Sequence, residues 1–121
     1  IFKKYLNTKQ LIKEYELSDI FVFASSSETF GITLLEAMGA KIPIACSNKT
    51  GLPDILKDGG VYFDPFDAKS IKRALDLIIS KKTQREKIVT KAYLYAKEYS
   101  WEKCSKQTFK FINQLITKKH V

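Results

Sequence analysis

The sequence contains few of the side chains from which catalytic and metal sites are most often built. His120 is the only histidine among the 121 residues, and the two cysteines, Cys46 and Cys104, are far apart in the chain. With a single imidazole, a histidine-based metal site and a Ser-His-Asp triad are both excluded, and we expect no metal. Each cysteine stands among apolar residues, which predicts two buried, reduced thiols of the kind found in cytosolic proteins.

Long apolar runs and low-complexity segments are also lacking. The longest apolar run covers residues 20–24, whereas a membrane span needs about 20 apolar residues. The first twenty residues mix Lys, Glu and Asn and hold no apolar segment of the kind that signal peptides require. The fractions of hydrophobic residues (45%) and charged residues (28%) are those of one globular domain with a full core. The chain begins at Ile1 instead of Met, so we expect a fragment.

Arginine is scarce although the chain is basic. Of 21 basic residues only Arg73 and Arg85 are arginine, and the net charge is +8. Residues 1–67 hold seven lysines and nine acids, whereas residues 68–121 hold fourteen basic residues and four acids. Surfaces that bind nucleic acid usually use Arg for bidentate contacts. We therefore interpret the lysines as a solvated surface and expect no nucleic-acid partner; contact with an anionic membrane is the alternative.

Hydrophobic periodicity predicts strands and helices that alternate, followed by helices alone. The predicted strands are residues 1–5, 20–24, 42–46 and 61–63. The strand at 20–24 is apolar throughout, which is typical of a strand buried on both faces of a parallel sheet. Asn7 or Thr8 caps a first helix through Leu11, Ile12 and Tyr15. The alternation predicts an α/β fold with a Rossmann-like, incomplete parallel sheet of about three to four strands.

The remaining helices are predicted from caps and apolar faces. A helix at 31–40 directs Ile32, Leu35 and Met38 inward, and residues 52–56 form a helical turn. Asp67 caps a helix whose inner face is Ile71, Ala74, Leu75 and Ile78. Thr83-x-x-Glu86 is a capping-box signature for a helix that continues to Tyr95. Ser100 caps a last helix, which packs on the sheet or on a missing partner through Cys104, Phe111, Ile112 and Leu115.

The stretch from residue 24 to residue 38 is the most informative about function. A strand ends, a polar loop follows, and a helix begins at Gly31, where ligands of open α/β sheets bind. The first N–H groups of that helix suit a phosphate, and Gly31 allows a close approach to the backbone. Glu28 and Glu36 flank the turn, and a carboxylate accepts hydrogen bonds from vicinal hydroxyls. Each residue alone also has an ordinary structural explanation, such as a favourable place near the helix dipole.

In this arrangement the sequence resembles the donor-binding half of retaining glycosyltransferases of the GT-B fold, whose hallmark is Glu, seven residues, Glu. The usual form is S-x-x-E-G-F-G-L-x-x-x-E-A-M, and seven positions stand in its register: Ser25, Glu28, Phe30, Gly31, Glu36, Ala37 and Met38. Residues 43–47 resemble the family's P-V-V-A-S strand, 51–54 its G-L-P-E turn, 63–67 its v-p-p-x-D segment and 99–102 its f-S-W-E helix start. The resemblance extends over essentially the whole chain.

The resemblance implies roles by position. Glu36 matches the residue that bonds the ribose hydroxyls of a nucleotide-sugar, and Glu28 matches the carboxylate that faces the donor sugar and is the catalytic candidate. The donor-binding residues that would hold sugar hydroxyls and the β-phosphate are Phe30, Gly31, Ile32 and Thr33. No metal or other cofactor is implied, because the helix dipole and basic side chains balance the pyrophosphate charge.

The resemblance also implies that residues 1–121 are a partial C-terminal nucleotide-sugar-binding domain, without its first strands and without an N-terminal acceptor domain. The full-length parent would transfer a hexose or N-acetylhexosamine, with a UDP-sugar as the first candidate donor, to a glycan or lipid-linked acceptor in polysaccharide synthesis, for example of the lipopolysaccharide O-antigen. We expect it in the cytoplasm, with peripheral contact at the inner membrane face as an option, and expect the isolated chain to be inactive. The alternative is a non-catalytic or epimerase-type nucleotide-sugar-binding module.

Three residues depart from the family pattern. Lys41 stands where the family has Gly at a helix C-terminus, and it either complements the dipole or strains the turn. Thr50 replaces the first Gly of G-G-L-P-E, and Asp54 replaces its Glu. Without the family's earlier strands, the strand at 20–24 becomes an apolar edge. That edge predicts self-association or an altered position of residues 1–5.

Overall fold

The computed structural model describes residues 1–118. Its strands are β1 (Phe21–Phe23), β2 (Ile44–Ser47) and β3 (Val61–Phe63). Its helices are α1 (Thr8–Glu16), α2 (Ile32–Gly39), α3 (Leu52–Leu56), α4 (Ala68–Ser80), α5 (Lys82–Ala96) and α6 (Trp101–Lys118). Asn7 caps α1 and forms a reciprocal capping box with Gln10. The predicted strand at 1–5 is wrong, because these residues pair with no strand and the side chains of Ile1, Phe2 and Tyr5 are exposed.

The strands form a parallel sheet in the order β1-β2-β3. Phe23 is aligned with Cys46, and Cys46 with Tyr62. Because α2 connects β1 to β2 and α3 connects β2 to β3, the carboxyl ends of all three strands lie at one edge of the sheet. The predicted Rossmann-like α/β fold with C-terminal helices is confirmed, and within residues 1–118 β1 is an edge strand as predicted.

One face of the sheet is covered by α2, α3 and the second half of α5. The buried residues of this cluster are Leu34, Ala37, Met38, Ile44, Cys46, Leu52, Ile55, Leu56 and Ala92. Phe21 and Phe23 of β1 and Tyr15 of α1 pack against it. Gly59 permits the close contact with α5, since a Cβ there would lie 2.8 Å from Cα of Ala92. The predicted burial of Cys46 is confirmed.

The other face is covered by α4 and the first half of α5. Its buried residues are Ala45, Phe63, Ala74, Ile78 and Ile88. On this face α4 packs against β2 and β3. Val22 of β1, by contrast, is 45% exposed. The prediction that the first strand is buried on both faces is therefore wrong: Phe21 and Phe23 pack against one cluster, whereas Val22 on the other side is exposed.

Two helix predictions need correction. In α2 the buried side chains are Leu34, Ala37 and Met38, whereas Ile32 is 54% exposed. Ile32 lies in the first turn, at the open carboxyl edge of the sheet, so the inward face begins two residues later. The capping box at Thr83 does not form, because α5 begins at Lys82 without a side-chain cap and Thr83 is already helical. Asp67 does cap α4, by accepting a hydrogen bond from the backbone N–H of Lys69 at 2.8 Å.

The last helix, α6, is exposed along its length. Ser100 caps it as predicted, since its hydroxyl oxygen accepts a hydrogen bond from the N–H of Lys103 at 3.1 Å. Its large apolar side chains are 42% exposed or more. These are Trp101, Phe109, Phe111, Ile112, Leu115 and Ile116. Cys104 is exposed as well, so its predicted burial is wrong, and among the described residues α6 does not pack on the sheet.

Candidate donor-binding site

The first turn of α2 lies at the carboxyl edge of the sheet, directly after the loop that follows β1. Gly31 is the N-cap and has a left-handed backbone with φ of 80°. It is buried, and a Cβ at this position would lie 2.9 Å from Cδ2 of Leu52 and 3.4 Å from Cε1 of Phe23. Only glycine meets both requirements without strain. The N–H of Leu34 donates to the carbonyl oxygen of Gly31 at 2.9 Å. Because Gly31 has no side chain to cap α2, the N–H groups of Ile32 and Thr33 remain available to an anion.

Glu28 is half-buried in the loop before this turn. Its Oε1 accepts a hydrogen bond from the N–H of Thr29 at 3.0 Å, and its Cγ lies 3.5 Å from where a Cβ of Gly31 would be. The hydroxyl of Ser25 donates to the carbonyl oxygen of Ser27 at 2.9 Å. The loop is thus held by hydrogen bonds within itself, and it brings the Glu28 carboxylate beside the N-cap of α2.

Glu36 lies about one turn further along α2, on its exposed side. The hydroxyl of Tyr15 in α1 donates to its Oε2 at 3.0 Å. Burial, and next the hydrogen bond and negative charge of Glu36, raise the pKa of Tyr15 to about 12. The phenol therefore keeps its proton at neutral pH and acts as a donor to the carboxylate. A groove of about 390 Å³ opens beside this pair, with walls from α1 and α2. It is lined by Thr8, Leu11, Ile12, Tyr15, Glu16, Glu36, Gly39 and Ala40.

The other predicted donor-binding residues are in the same turn. The side chains of Phe30, Ile32 and Thr33 are exposed. The ring of Phe30 contacts Tyr99 edge to face, with 5.8 Å between ring centroids. The structure therefore brings residues 28–33 together around the N-terminus of α2 and places Glu36 on the flank of the same helix.

The loops after β2 and β3 complete this edge of the sheet. Lys49 follows β2, and its Nζ lies 3.3 Å from Oδ2 of Asp64, which follows β3. Oδ1 of Asp64 accepts a hydrogen bond from the backbone N–H of Phe66 at 3.0 Å. This hydrogen bond, and next the ion pair with Lys49, hold the pKa of the Asp64 carboxyl below its usual value. Thr50 has a positive φ of 59° next to the start of α3. Leu52, at that start, has the side-chain atom nearest to where a Cβ of Gly31 would lie.

Sequence reasoning missed Tyr15 and Lys49 at this edge. The periodicity places Tyr15 on an apolar helix face, which is correct for its ring, whereas its hydroxyl donates to Glu36. The signal that could have found it is a phenol on the helix before β1, on the side that faces Glu36. Lys49 could have been found because it follows β2 directly, where the loops at the carboxyl edge begin.

Within residues 1–118, no group of three or more His, Cys, Asp or Glu side chains is placed to hold a metal ion. In the same part of the chain, no helix is both long and apolar enough to cross a membrane.

Structural comparison shows the same fold in solved glycosyltransferases. Sucrose-phosphate synthase from Thermosynechococcus elongatus matches with a TM-score of 0.82 and 22% identity, over 97% of this chain and 30% of that one. Anabaena HepE, solved in complex with UDP, matches with a TM-score of 0.74 and 18% identity, over 88% of this chain and 30% of that one. The C-terminal domain of the group 1 family protein LpcC from Francisella tularensis has a TM-score of 0.71 and 27% identity, over 80% of this chain and 51% of that one.

Sequence comparison identifies glycosyltransferases among the relatives of this chain. O-antigen chain mannosyltransferase B from Escherichia coli is 35% identical over 104 residues, which are 86% of this chain and 27% of that protein. A Methanocaldococcus jannaschii glycosyltransferase is 37% identical over 112 residues, which are 89% of this chain and 28% of that protein. The chain thus spans about a quarter of the length of these relatives. The sequence profile described as Glycosyl transferases group 1 matches residues 1–95, and the chain therefore belongs to this family of glycosyltransferases.

Proposed function

We propose that this chain is the donor-binding part of a retaining glycosyltransferase and that it holds a nucleotide-sugar at the N-terminus of α2. The observation that supports this most directly is the left-handed, buried Gly31 between two carboxylates in the family register. Its backbone exposes helix N–H groups to a phosphate, while Glu36 offers a carboxylate to hydroxyls. The chain would be a partial C-terminal domain of a longer enzyme.

In this proposal the site residues have separate tasks. Glu36 accepts hydrogen bonds from the ribose hydroxyls of the nucleotide. The backbone of residues 30–33 holds the β-phosphate and sugar hydroxyls. Glu28 faces the donor sugar as the catalytic residue, and its half-buried place beside the N-cap of α2 supports that assignment. Catalysis further requires an acceptor held against the donor, so we expect no transfer by these 121 residues alone.

We propose a UDP-sugar as donor and a hexose or N-acetylhexosamine as the transferred group. HepE was solved with UDP, which supports the choice of nucleotide. The acceptor would be a glycan or a lipid-linked glycan, and the process a polysaccharide synthesis in the cytoplasm. The O-antigen mannosyltransferase among the relatives supports that class of acceptor.

The experiment that tests the site is a calorimetric titration of the chain with UDP, UDP-glucose and GDP-mannose. Glu36→Gln is expected to weaken UDP binding about tenfold or more, since a hydrogen bond to a charged acceptor contributes about 1.5–3 kcal/mol. Glu28→Gln is expected to retain its affinity for UDP and to change only the difference in affinity between UDP and UDP-glucose, which is the contribution of the sugar. Glu86→Gln, which removes an exposed carboxylate on α5, is the matched control and should bind as the unmodified chain does. Equal UDP affinity in Glu36→Gln and Glu86→Gln would contradict the proposal.

A non-catalytic or epimerase-type module is the alternative in the same family of folds. Measuring sugar transfer to an acceptor by the full-length parent distinguishes this module from a transferase. Loss of transfer in Glu28→Gln with UDP binding retained supports a transferase. An active parent that is insensitive to Glu28→Gln would exclude the catalytic role of that residue.

Contact with an anionic membrane is a further part of the proposal, and the surface of α6 supports it. Its exposed apolar side chains lie along one side of the helix, and Lys103, Lys106 and Lys110 lie on the other. Vesicles with and without phosphatidylserine test this by co-sedimentation, with salt as a second variable. Self-association through the edge of β1 or through α6 is the competing explanation of these apolar surfaces, and it predicts a dimer in sedimentation without lipid.

A further inference from the structure

Tyr15 connects the first helix to the carboxylate that we assign to the ribose. Its ring packs on Phe21 of β1, with 6.0 Å between centroids and 52° between ring planes. Its hydroxyl, at the far end of the same side chain, donates to Oε2 of Glu36 at 3.0 Å. The ring is thus fixed by the apolar cluster on one face of the sheet, and the hydroxyl is held at a defined position against α2.

Glu36 needs such a partner because it lies on an exposed side of α2. A glutamate in that place samples several rotamers, and a ligand that orders it loses binding free energy. A hydrogen bond from a fixed donor selects one orientation before the ligand arrives. Oε2 then has one hydrogen bond from the protein, and Oε1 is left to accept from a ligand hydroxyl.

The chemistry of the donor also fits a binding role. A lysine or arginine in the position of Tyr15 would neutralise Glu36 and compete with a ligand for both oxygens. Tyrosine orients the carboxylate and leaves its charge in place. None of the ion pairs formed among residues 1–118 involves Glu36. Because the pKa of Tyr15 is raised to about 12, its hydroxyl remains a donor throughout the neutral range.

We propose that Tyr15 is a positioning residue for nucleotide binding: its hydroxyl holds Glu36 in the orientation that meets the ribose hydroxyls. The inference rests on the function proposed above, in which Glu36 binds ribose. It assigns to α1 a part in donor recognition, and it explains why a phenol stands at this point of an otherwise apolar helix face.

The test compares UDP with 2′,3′-dideoxy-UDP in calorimetric titrations of four proteins. These are the unmodified chain, Tyr15→Phe, Glu36→Gln and Tyr95→Phe. Tyr15→Phe retains the ring and its packing on Phe21. Tyr95→Phe is the matched control. Tyr95 lies on α5, outside the site, and its hydroxyl also donates to a carboxylate, Oδ1 of Asp58, at 2.6 Å.

We expect the unmodified chain and Tyr95→Phe to prefer UDP over the dideoxy compound by about tenfold or more. Tyr15→Phe should reduce this preference by about twofold to tenfold, the range expected when one side chain must be ordered by the ligand. Its affinity for the dideoxy compound should be unchanged. An unchanged preference for UDP in Tyr15→Phe would overturn the positioning role. An equal loss of affinity for UDP and for the dideoxy compound would overturn it as well, because it would mean that Tyr15 only anchors α1.

Glu36→Gln separates the inference from the proposed function. If Glu36→Gln retains the full preference for UDP, or if the unmodified chain binds no UDP, the proposed function fails and the positioning role fails with it. A second measurement needs no ligand: the phenol of Tyr15 is titrated by its ultraviolet absorbance, as the difference between the unmodified chain and Tyr15→Phe. Ionisation of Tyr15 should begin at a lower pH in Glu36→Gln than in the unmodified chain, over the pH range in which circular dichroism shows both to be folded. An equal onset would show that the hydrogen bond does not form in solution.

Discussion

Gly31 combines a left-handed backbone with burial, and a side chain would disturb both. Gly31→Ala should lower the free energy of unfolding by about 1–3 kcal/mol, because the alanine has a positive φ and its Cβ meets Leu52 at 2.9 Å. Gly39→Ala, at the last position of the same helix, is the control: apart from its own helix and chain neighbours no atom lies within 4 Å of its Cβ, so stability should be unchanged or rise by at most about 1 kcal/mol. Urea titrations followed by circular dichroism measure both. A neutral Gly31→Ala would contradict the left-handed N-cap.

The two positions where this chain lacks a family glycine have positive φ as well. Lys41 and Thr50 both have φ of 59°, so Lys41 has the left-handed backbone that a strained turn requires. Thr50 is β-branched, and such residues are strongly disfavoured there. Thr50→Gly should therefore raise the free energy of unfolding by about 1 kcal/mol.

Lys41→Gly should raise the free energy of unfolding by less. The Lys41 ammonium group lies 4.4 Å from the centre of the Tyr93 ring, and the variant loses this contact. Thermal melts rank the two variants, and destabilisation by Thr50→Gly would contradict the strain.

The two cysteines should react at very different rates. Cys46 is fully buried, and burial raises the pKa of its thiol to about 12, so little thiolate forms at neutral pH. Cys104 is exposed on α6. In a thiol assay with an aromatic disulfide reagent at about pH 8, we expect one reactive thiol in the folded chain and two in denaturant. Cys104→Ser should abolish the fast reaction, whereas a fast reaction that persists in this variant would show that Cys46 is accessible.

Among the helices, α2 shows how far the sequence alone could go. Its position, its start next to Gly31 and the burial of Met38 follow from the motif and from periodicity. The inward face does not, because Ile32 lies in a first turn that faces the open edge of the sheet and is exposed. Apolar character alone cannot show whether another element covers a position. The roles of Glu28 and Glu36 came from the family register, while the hydrogen bond from Tyr15 joins residues 21 positions apart and needed the structure.

The last helix leads to a prediction about fluorescence, because Trp101 is the only tryptophan of the chain. It is 81% exposed, so its emission maximum in the folded chain should equal that in denaturant, even though circular dichroism reports a cooperative transition. Addition of anionic vesicles should shift the emission to shorter wavelength if α6 lies in a membrane interface. A short-wavelength emission without lipid that depends on protein concentration would instead indicate packing of α6 on a second copy.

For the whole molecule, the order and direction of the strands could be predicted, whereas their environment could not. Alternation of strands and helices predicts a parallel sheet, and the family resemblance, with its earlier strands missing, predicts β1 at the edge; both are observed in the described residues. Burial of β1 on both faces was inferred from its composition, but α4 covers β2 and β3 and leaves Val22 exposed. The apolar face of α6 was read correctly as apolar, yet no described element packs on it. In each case the local sequence predicts the strand or helix itself. The burial of its apolar surface depends on elements that are distant in the chain, and the local sequence does not predict it.

The stability of the whole molecule should fall at alkaline pH. Folding raises the pKa of Cys46 to about 12 from an ordinary 9.0, and that of Tyr15 to about 12 from 10.0; burial is the main cause in both, and it raises the pKa of Tyr62 as well. Because the unfolded chain loses these protons first, their contribution to stability is complete below about pH 9 and disappears as the pH rises towards 12.

Deprotonation of lysines acts in the opposite direction, since it lowers the net charge of +8 and its self-repulsion. Melts at about 0.3 M salt screen that repulsion and isolate the buried groups. We expect the melting temperature to fall steadily from about pH 9 to pH 11, and less steeply in Tyr15→Phe, which has one buried proton fewer to lose. A melting temperature that stays constant across this range, or the same slope in both proteins, would show that folding does not hold the protons of these groups.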